Sequence, residues 1–281
     1  LIIVDNQSSD TATMECLREL QNDSRVRVIR YEAPFNFSAI NNLAAREATG
    51  QILALVNNDI RIISSEWLKE MVSHAVRPEI GAVGAKLYFE NETIQHAGIV
   101  VGIGGVAGHA HKRLPGQSTG YFARAQVIQN FSAVTGACLV MRRQVYDEVG
   151  GLDEVNLPIA FNDVDLCLRI REKGYRILWT PYAELYHVES ASRGPDTHPD
   201  KLPRFTREQE FMKLTWKDRL LRDPYYSPNL TLHKEDFSFD RPRTVMPWRN
   251  DDLGQPVYLD KRTENAAFTA SQSGVKRPGR F

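Results

Sequence analysis

The chain has 281 residues, of which 42% are hydrophobic and 25% are charged, a composition typical of a soluble globular protein that can bury a sizeable core. Its 35 Lys and Arg residues balance its 35 Asp and Glu residues, so no overall electric field favours nucleic acid or an anionic membrane. We therefore expect no nucleic-acid partner, and any phosphate-bearing ligand must be held by local groups.

The cysteine pattern and the apolar runs indicate where the protein works. Cys16, Cys138 and Cys167 are scattered and odd in number, which argues against a disulfide framework or a structural zinc site and favours a reducing compartment. No apolar run approaches the roughly 18 residues of a membrane span, and we expect no signal peptide. We expect a cytoplasmic protein. The chain has no initiator Met and begins inside the apolar run Leu1 to Val4, which predicts that further sequence, and an additional upstream domain, could precede it.

The first part of the chain alternates predicted strands and helices with short connections. This order is typical of a parallel, doubly wound α/β sheet. The predicted elements are a strand over 1–4, a helix capped within Ser8-Ser9-Asp10, a strand over 26–31, a helix from the cap Ser38 to Gly50, and a strand over 52–56.

The strand over 52–56 ends abruptly at the polar triplet Asn57-Asn58-Asp59. Five consecutive apolar residues suit a strand buried on both faces of a parallel sheet. The triplet then lies at the carboxyl end of the strand, where open α/β sheets bind ligands. The alternative is a simple turn, because Asn and Asp tolerate turn geometry.

The order of elements becomes mixed after Asp59, which predicts an antiparallel portion appended to the same α/β domain. We expect a domain over 1–205, a helix over 206–222 packed on it, and an extended tail over 223–281 whose last residues are disordered. The basic end of that tail could bind the inner face of a membrane or a partner domain, or remain solvated. The predicted elements are a strand over 60–63, a helix capped by Ser64-Ser65 and ended by Pro78, strands over 81–89, 93–101 and 127–141, a helix over 142–149, a helix over 164–173, and strands over 176–180 and 183–187.

Four polar groups follow apolar strands or begin helices, namely Asp5-Asn6, Asn57-Asn58-Asp59, Asn162-Asp163 and His187. A carboxylate and an imidazole suit Mg²⁺ or Mn²⁺, and a divalent ion is what a neutral protein needs to hold a diphosphate. Asp59 and His187 are therefore the metal candidates. Each group also has a structural explanation. His187 could be a strand-end histidine whose ring nitrogens are hydrogen-bonded within the fold, and Asp163 could be an acid that stabilises the helix dipole.

Two other motifs carry less weight. Gly102-Ile-Gly104 begins a glycine pattern like a dinucleotide fingerprint, but no helix follows it, so the phosphate-binding helix terminus is absent and a mobile loop is expected. His109-Ala-His111 resembles a metal motif without a nearby acidic or Cys partner, and we expect it in a loop that faces solvent or acceptor.

In their order along the chain, several motifs resemble those of the family 2 glycosyltransferases of the GT-A fold, in particular bacterial enzymes of O-antigen and surface-polysaccharide assembly. The resemblance extends over most of residues 1–194. The matching motifs are Asp5-Asn6 with Ser8 and Asp10, Asn57-Asn58-Asp59, Thr135-Gly136-Ala137-Cys138, Asn162-Asp163-Val164-Asp165 with Arg169 and Gly174-Tyr175, and Tyr186-His187-Val188-Glu189-Ser190.

The resemblance implies a nucleotide-diphosphate-sugar donor, a glycan or lipid-linked acceptor and a divalent cation, Mn²⁺ or Mg²⁺. It implies that Asp5, Asn6, Asn57 and Asn58 contact the nucleotide. It also implies that Asn57-Asn58-Asp59 is a variant Asp-x-Asp motif whose Asp59 binds the ion, with His187 as a further ligand. Asp163 is implied as the base that removes a proton from the acceptor hydroxyl during inverting transfer.

The chain departs from the family pattern in three places. The family's first strand is expected before Leu1, Asn57 replaces an acid of the metal motif, and Asn162 stands where an acid often precedes the catalytic Asp. Two alternative functions stay open: a sugar-phosphate nucleotidyltransferase, for which the expected glycine-rich phosphate loop is not seen, and a non-catalytic glycan-binding domain.

Overall fold

The computed structural model describes residues 1–188 and 198–243 of the chain. The chain divides into a compact unit, Leu1–Asp240, and a second unit, Arg241–Phe281, of which 241–243 are described. All helices and strands of the described residues belong to the first unit.

The first unit combines short strands with helices of six to 15 residues. The strands are β1 (Ile2–Asp5), β2 (Arg27–Arg30), β3 (Ile52–Val56), β4 (Ile60–Ile62), β5 (Ile80–Tyr88), β6 (Ile94–His96), β7 (Ile99–Val101), β8 (Ala107–His109), β9 (Gln129–Phe131), β10 (Cys138–Arg142) and β11 (Arg176–His187). The helices are α1 (Thr11–Leu20), α2 (Phe37–Glu47), α3 (Trp67–Ala75), α4 (Arg143–Glu148), α5 (Asn162–Glu172) and α6 (Leu202–Trp216). Three 3-10 helices, Ile103–Gly105, Tyr121–Gln126 and Lys217–Leu221, lie between them.

The first two strands form a small parallel pair connected by α1. In this pair Asp5 lies opposite Arg30. Asp10 caps α1, because its carboxylate accepts a hydrogen bond from the backbone N–H of Thr13 at 2.9 Å. The strand, the helix and its cap confirm what the sequence predicts for this segment.

The second helix begins at a cap that the sequence did not indicate. The side chain of Asn36 accepts a hydrogen bond from the backbone N–H of Ala39 at 2.9 Å and caps α2. Ser38 lies within the helix and is fully buried, and its hydroxyl donates to the carbonyl of Leu157 at 2.6 Å. The prediction that Ser38 is the cap was wrong, because its hydroxyl bonds a distant loop and not its own helix terminus.

The central sheet has the strand order β3–β10–β5–β11–β4, with β6 added to β5 and β9 added to β11. The pair β5–β11 is parallel, and the other pairs of this sheet are antiparallel. The fold is α/β, as predicted, and the expected antiparallel portion is part of the same sheet.

The strand that precedes the polar triplet lies at an edge of this sheet. Val56 pairs antiparallel with Cys138 of β10. Leu53 and Leu55 are buried, whereas Ala54 and Val56 are exposed. The prediction of a strand buried on both faces of a parallel sheet was wrong, because an unbroken apolar run does not distinguish an edge strand from a central one.

Helices cover both faces of the central sheet. On one face, Val83 and Leu178 join the apolar cluster that contains Met71 of α3. On the other face, Trp179 belongs to the cluster that contains Ile170 of α5. Strand β5 is buried over its whole length, so the sheet is a rigid support for the loops at its edges.

Strand β11 is one element of 12 residues, where the sequence predicts two shorter strands. Its pairing with β5 is irregular between Trp179 and Glu184, which accommodates Pro181 without ending the strand. Its last residues pair antiparallel with β4, so that His187 lies opposite Ile60.

The glycine- and histidine-rich stretch contains an ordered hairpin. Strands β7 and β8 pair antiparallel, with Ile99 opposite His109. The imidazole of His111 is 1% exposed and stacks on Phe237, with 4.4 Å between ring centroids. The stretch from Gly102 that the sequence predicts as a mobile loop folds as a 3-10 helix between β7 and β8. The prediction that His109-Ala-His111 lies in a loop facing solvent or acceptor was wrong for His111, because the segment that carries Phe237 packs over its ring.

The last helix and the segment after it complete the first unit. Met212 and Trp216 of α6 are buried, and so are Tyr226 and Leu230 in the segment that follows. The unit therefore extends to Asp240, past the predicted domain end at 205 and the predicted helix end at 222. Most of the predicted tail, 244–281, with its predicted disordered end, lies outside the described residues.

None of the helices within the described ranges combines the length and the apolarity that crossing a membrane requires.

Candidate active site

The turn after β3 and the end of β11 bring together an amide, a carboxylate and an imidazole. The Nε2 atom of His187 lies 3.1 Å from Oδ1 of Asp59 and 3.2 Å from Nδ2 of Asn57. Strand pairing produces this meeting, because β4 begins directly after the turn and aligns Ile60 with His187. The backbone N–H of Val188 also donates to the carbonyl of Asp59 at 3.0 Å.

Gln95 on β6 fixes which nitrogen of His187 carries the proton. The amide N–H of Gln95 donates to the backbone carbonyl of His187 at 3.2 Å, so the other atom of the amide, Oε1, faces Nδ1 of the ring at 2.8 Å. An amide oxygen only accepts, so Nδ1 carries a proton in the neutral ring and in the imidazolium alike. In the neutral ring the lone pair of Nε2 is directed toward Asn57 and Asp59, whereas in the imidazolium Nε2 donates to Asp59.

The carboxylate of Asp59 is ionised, and the fold leaves part of its hydrogen-bonding capacity unused. Burial opposes its charge, but the hydrogen bond and charge attraction that the protonated His187 ring supplies, with the amide of Asn57, outweigh this effect and lower the pKa of Asp59 below its ordinary value. Its Oδ1 atom is buried and accepts no hydrogen bond within the described residues. A buried carboxylate oxygen without a donor is costly unless a cation or ligand satisfies it.

This pair of atoms fits two adjacent ligands of a divalent cation. Ligands at 2.0–2.1 Å from an octahedral ion are separated by about 3 Å, and Oδ1 of Asp59 and Nε2 of His187 are 3.1 Å apart. Within 1–188 and 198–243, no group of three or more His, Cys, Asp or Glu side chains forms a more complete metal site. The protein would supply two ligands to such a cation.

Asp163 lies in the first turn of α5, and its two oxygens are both bonded. One oxygen accepts from the backbone N–H of Gly136 and the other from that of Val164, each at 2.8 Å. Burial raises the pKa of Asp163, and these two hydrogen bonds offset the effect only in part. A carboxylate with a raised pKa is a better proton acceptor than an ordinary surface Asp.

A short loop connects Asp163 with the turn after β3. The backbone N–H of Gly136 bonds Asp163, and the carbonyl of Ala137 accepts from the backbone N–H of Asn57 at 2.9 Å. The backbone N–H of Thr135 lies 3.5 Å from Nε2 of the buried His96. Hydrogen bonds to this loop thus hold Asp163 and the Asn57–Asp59 turn in a fixed relation.

Asp5 lies at the end of β1 and is engaged by its own surroundings. Its carboxylate accepts from the backbone N–H of Ser8 at 3.0 Å and forms an ion pair with Arg30 on β2. Burial opposes its ionisation, but the bonds from Ser8 and Arg30 together lower the pKa of Asp5. Within the described residues, no hydrogen bond or ion pair joins Asp5 to Asp59, His187 or Asp163.

The remaining predicted nucleotide contacts differ in their surroundings. Asn6 donates its amide N–H to the carbonyls of Tyr31 and Ala33 at 3.0 and 2.9 Å, so it orders the loop after β2. Asn58 is exposed at the turn after β3. A cleft of about 630 Å³ opens beside His187 and is lined also by Thr93 and Arg113, which leaves room for a ligand.

Sequence reasoning missed Gln95, His96 and Arg30. Gln95 and His96 are two polar residues inside an otherwise apolar run over 93–101, and that interruption was the available signal. The Nδ1 atoms of His96 and His109 are 2.9 Å apart, and burial lowers the pKa of both rings, that of His109 to about 3, so both rings are neutral near pH 7. Arg30 gave no local signal, because its partner lies 25 residues earlier. Glu189 and Ser190 of the last motif lie outside the described residues.

These elements define a protein of the α/β class with polar groups gathered at strand ends. Comparison with known families shows to which family the chain belongs. The family described as "Glycosyltransferase like family 2" matches residues 1–209. The chain belongs to this family, since the match covers most of its length.

Two relatives match 86% of the chain. An uncharacterized protein y4gI of Sinorhizobium fredii (strain NBRC 101917 / NGR234) is 52% identical over 244 residues, which are 27% of its own length. The O-antigen biosynthesis protein RfbC of Myxococcus xanthus is 40% identical over 244 residues, or 18% of its length. The chain thus spans about a quarter or less of the length of these relatives.

A solved structure supports the fold. The structure of GalNAc-T7 with UDP, GalNAc and Mn²⁺ superimposes with a TM-score of 0.58 at 15% identity, covering 78% of this chain and 42% of that one. The fold is of the GT-A type, as the sequence motifs predict.

Proposed function

We propose that this chain is the catalytic domain of an inverting, metal-dependent glycosyltransferase that moves a sugar from a nucleoside-diphosphate donor to a glycan or lipid-linked acceptor. The observation that carries the proposal is the 3.1 Å contact between the buried Oδ1 of Asp59 and Nε2 of His187. Membership of the glycosyltransferase-like family 2 supports glycosyl transfer. A relative named for O-antigen biosynthesis supports polysaccharide assembly.

In this proposal, Asp59 and His187 hold a Mn²⁺ or Mg²⁺ ion and thereby the donor diphosphate. When bound, the cation offsets the negative charge that grows on the leaving diphosphate. Gln95 keeps the Nε2 lone pair of His187 directed at the site. Asn57 and Asn58 border the same ligand, and Asp5 with Asn6 contacts the nucleotide from the end of β1.

Asp163 takes the proton of the acceptor hydroxyl as that oxygen attacks the anomeric carbon. One displacement with no covalent enzyme intermediate inverts the configuration at that carbon. The raised pKa of Asp163 suits this role, because a general base is most effective when its pKa approaches the working pH. The backbone N–H groups of Gly136 and Val164 keep the carboxylate in one orientation.

The test is transfer or donor hydrolysis by the full-length protein, followed by mass spectrometry over a panel of nucleotide sugars. We expect activity with one donor class in Mn²⁺ or Mg²⁺, its loss with chelator, and its loss in Asp163→Asn and Asp59→Ala. Asp218→Asn, an exposed acid, is the matched control. Near-parental rates in both site variants would overturn the proposal, and glycan binding without nucleotide or metal would indicate a binding domain instead.

A further inference from the structure

A buried carboxylate on α6 is bonded to the loop that leads into α5. Glu208 is 1% exposed, and its Oε1 atom accepts from the backbone N–H groups of Ile159 at 2.8 Å and Ala160 at 3.1 Å. Its Oε2 atom is paired with Arg204, one helical turn earlier. Burying a carboxylate costs free energy unless its oxygens are bonded, and both oxygens of Glu208 are.

The loop in question, residues 157–161, ends two residues before Asp163 and is here named the helix-entry loop. Its last residue, Phe161, has φ +60°, a left-handed conformation that is uncommon for a residue other than glycine. The Phe161 ring packs on Phe205 of α6, with 5.3 Å between centroids. A strained backbone persists only when its surroundings hold it. Helix α6 holds this loop through the Phe205 ring and the Glu208 carboxylate.

The helix-entry loop is held on its other side by α2. The hydroxyl of Ser38 donates to the carbonyl of Leu157 at 2.6 Å, and the backbone N–H of Ser38 donates to the carbonyl of Pro158 at 3.2 Å. At the start of α5, the amide of Asn162 donates to the carbonyl of Ile159 at 2.9 Å. Every residue from Leu157 to Phe161 therefore has a bond or ring contact that bears on where α5 begins.

We propose that Glu208 is a positioning residue for Asp163: it holds the helix-entry loop, and the loop sets where α5 begins and where its Asp163 carboxylate stands. The inference rests on the proposed function, because it assigns Asp163 as the base. Glu208 itself touches neither substrate nor reacting atoms. It acts through the backbone of Ile159 and Ala160.

The experiment compares four variants of the full-length protein by hydrogen exchange and by steady-state kinetics. Glu208→Ala removes both acceptors, whereas Glu208→Gln keeps one oxygen that can accept from both N–H groups. Phe205→Leu removes the ring beneath Phe161 and serves if Glu208→Ala does not fold. Glu210→Ala, an exposed acid on the same helix, is the matched control.

We expect faster amide exchange over residues 157–163 in Glu208→Ala and in Phe205→Leu, with exchange elsewhere unchanged. We expect kcat to fall about 10- to 100-fold in Glu208→Ala while the KM for donor stays within about twofold, because misplacing a reacting group by about 1 Å can cost 10²-fold in rate. Glu208→Gln should recover most of the loss, and Glu210→Ala should match the parent.

Unchanged exchange in the loop, or faster exchange with parental kcat, would overturn the inference. A fall in kcat that Glu208→Gln does not relieve, or one that follows the folded fraction, would also overturn it. If Asp163→Asn retains parental transfer, the proposed function fails instead, and the exchange data still report whether Glu208 holds the loop.

Discussion

Nε2 of His187 lies 3.1 Å from Oδ1 of Asp59, although most strands of the central sheet lie between these two residues in the sequence. The pairing of β4 with β11 creates this contact, since Ile60 is aligned with His187 and Asp59 precedes it directly. The contact is thus a property of strand register. A register slip of one residue would turn His187 to the other face of the sheet.

The first prediction concerns the pair itself. Asp59→Ala and His187→Ala should each weaken the Mn²⁺-dependent affinity for nucleoside diphosphate by more than the about 10- to 100-fold that loss of an outer-shell partner typically causes. Calorimetry with Mn²⁺ and with a chelator measures this. Removal of the metal should lower the parent to the level of the variants, and Asp218→Ala should bind like the parent. Equal affinities of parent and both variants in Mn²⁺ would exclude the pair as metal ligands.

The second prediction concerns Gln95, which sets the tautomer of His187. Gln95→Leu removes the acceptor of the Nδ1 proton, so the ring loses its fixed orientation, and Mn²⁺-dependent nucleotide affinity should fall about 10- to 100-fold. Gln95→Glu keeps an acceptor for Nδ1 and should retain most of the affinity. The same titration measures both variants, and a Gln95→Leu protein that binds like the parent would show that the orientation of His187 does not depend on this amide.

The parts of the site that the sequence predicted are those at the ends of strands. Asp59 belongs to the polar triplet after an apolar run, and His187 ends a predicted strand, and these patterns require no knowledge of the tertiary structure. Gln95 was not predicted, because its role depends on β6 lying beside the end of β11. Glu208 was not predicted, because its acidic side chain on an amphipathic helix resembles any solvent-facing Glu until the helix packs.

In the fold, too, features set by neighbouring residues were predicted, and features set by tertiary packing were not. The cap of α1 at Asp10 is a local effect and was predicted, whereas the cap of α2 was assigned to Ser38, whose hydroxyl bonds Leu157 far along the chain. The segment over 223–240 has no periodicity, so sequence alone indicated a tail. Its apolar residues pack singly, as Phe237 does on His111, and such contacts leave no repeating pattern.

The third prediction concerns Asp163 as the base. Asp163→Asn keeps the size of the side chain but cannot accept the proton, and kcat should fall about 10²- to 10⁴-fold while nucleotide affinity is unchanged. Steady-state kinetics and calorimetry on the same preparations separate the two effects. A parallel loss of nucleotide affinity would mean that Asp163 binds donor.

The fourth prediction follows from the opposite shifts of two carboxyl groups. The pKa of Asp163 is raised and that of Asp59 is lowered, each from an ordinary value of 3.8. A base works only when ionised, so kcat should fall as the pH drops through the pKa of Asp163, above 3.8, while Asp59 stays charged. With saturating donor and Mn²⁺, kcat reports groups of the bound complex. A pH profile of kcat that is flat down to pH 4 would contradict the assignment.

The last prediction concerns Asp165, two residues after the proposed base, which has a structural role. Its Oδ1 atom accepts from the indole N–H of Trp216 at 3.0 Å, and its Oδ2 atom accepts from Arg169 at 2.7 Å, so it ties α5 to α6 in the interior. Trp216→Phe removes one donor to a buried carboxylate and should lower the free energy of unfolding by about 1–3 kcal/mol. Denaturant titration measures this, with Trp67→Phe as the control at a partly exposed position. Because Arg169 still holds Asp165, the kcat of the folded Trp216→Phe protein should remain near that of the parent. A large loss of kcat without loss of stability would instead place Trp216 in the machinery of the site.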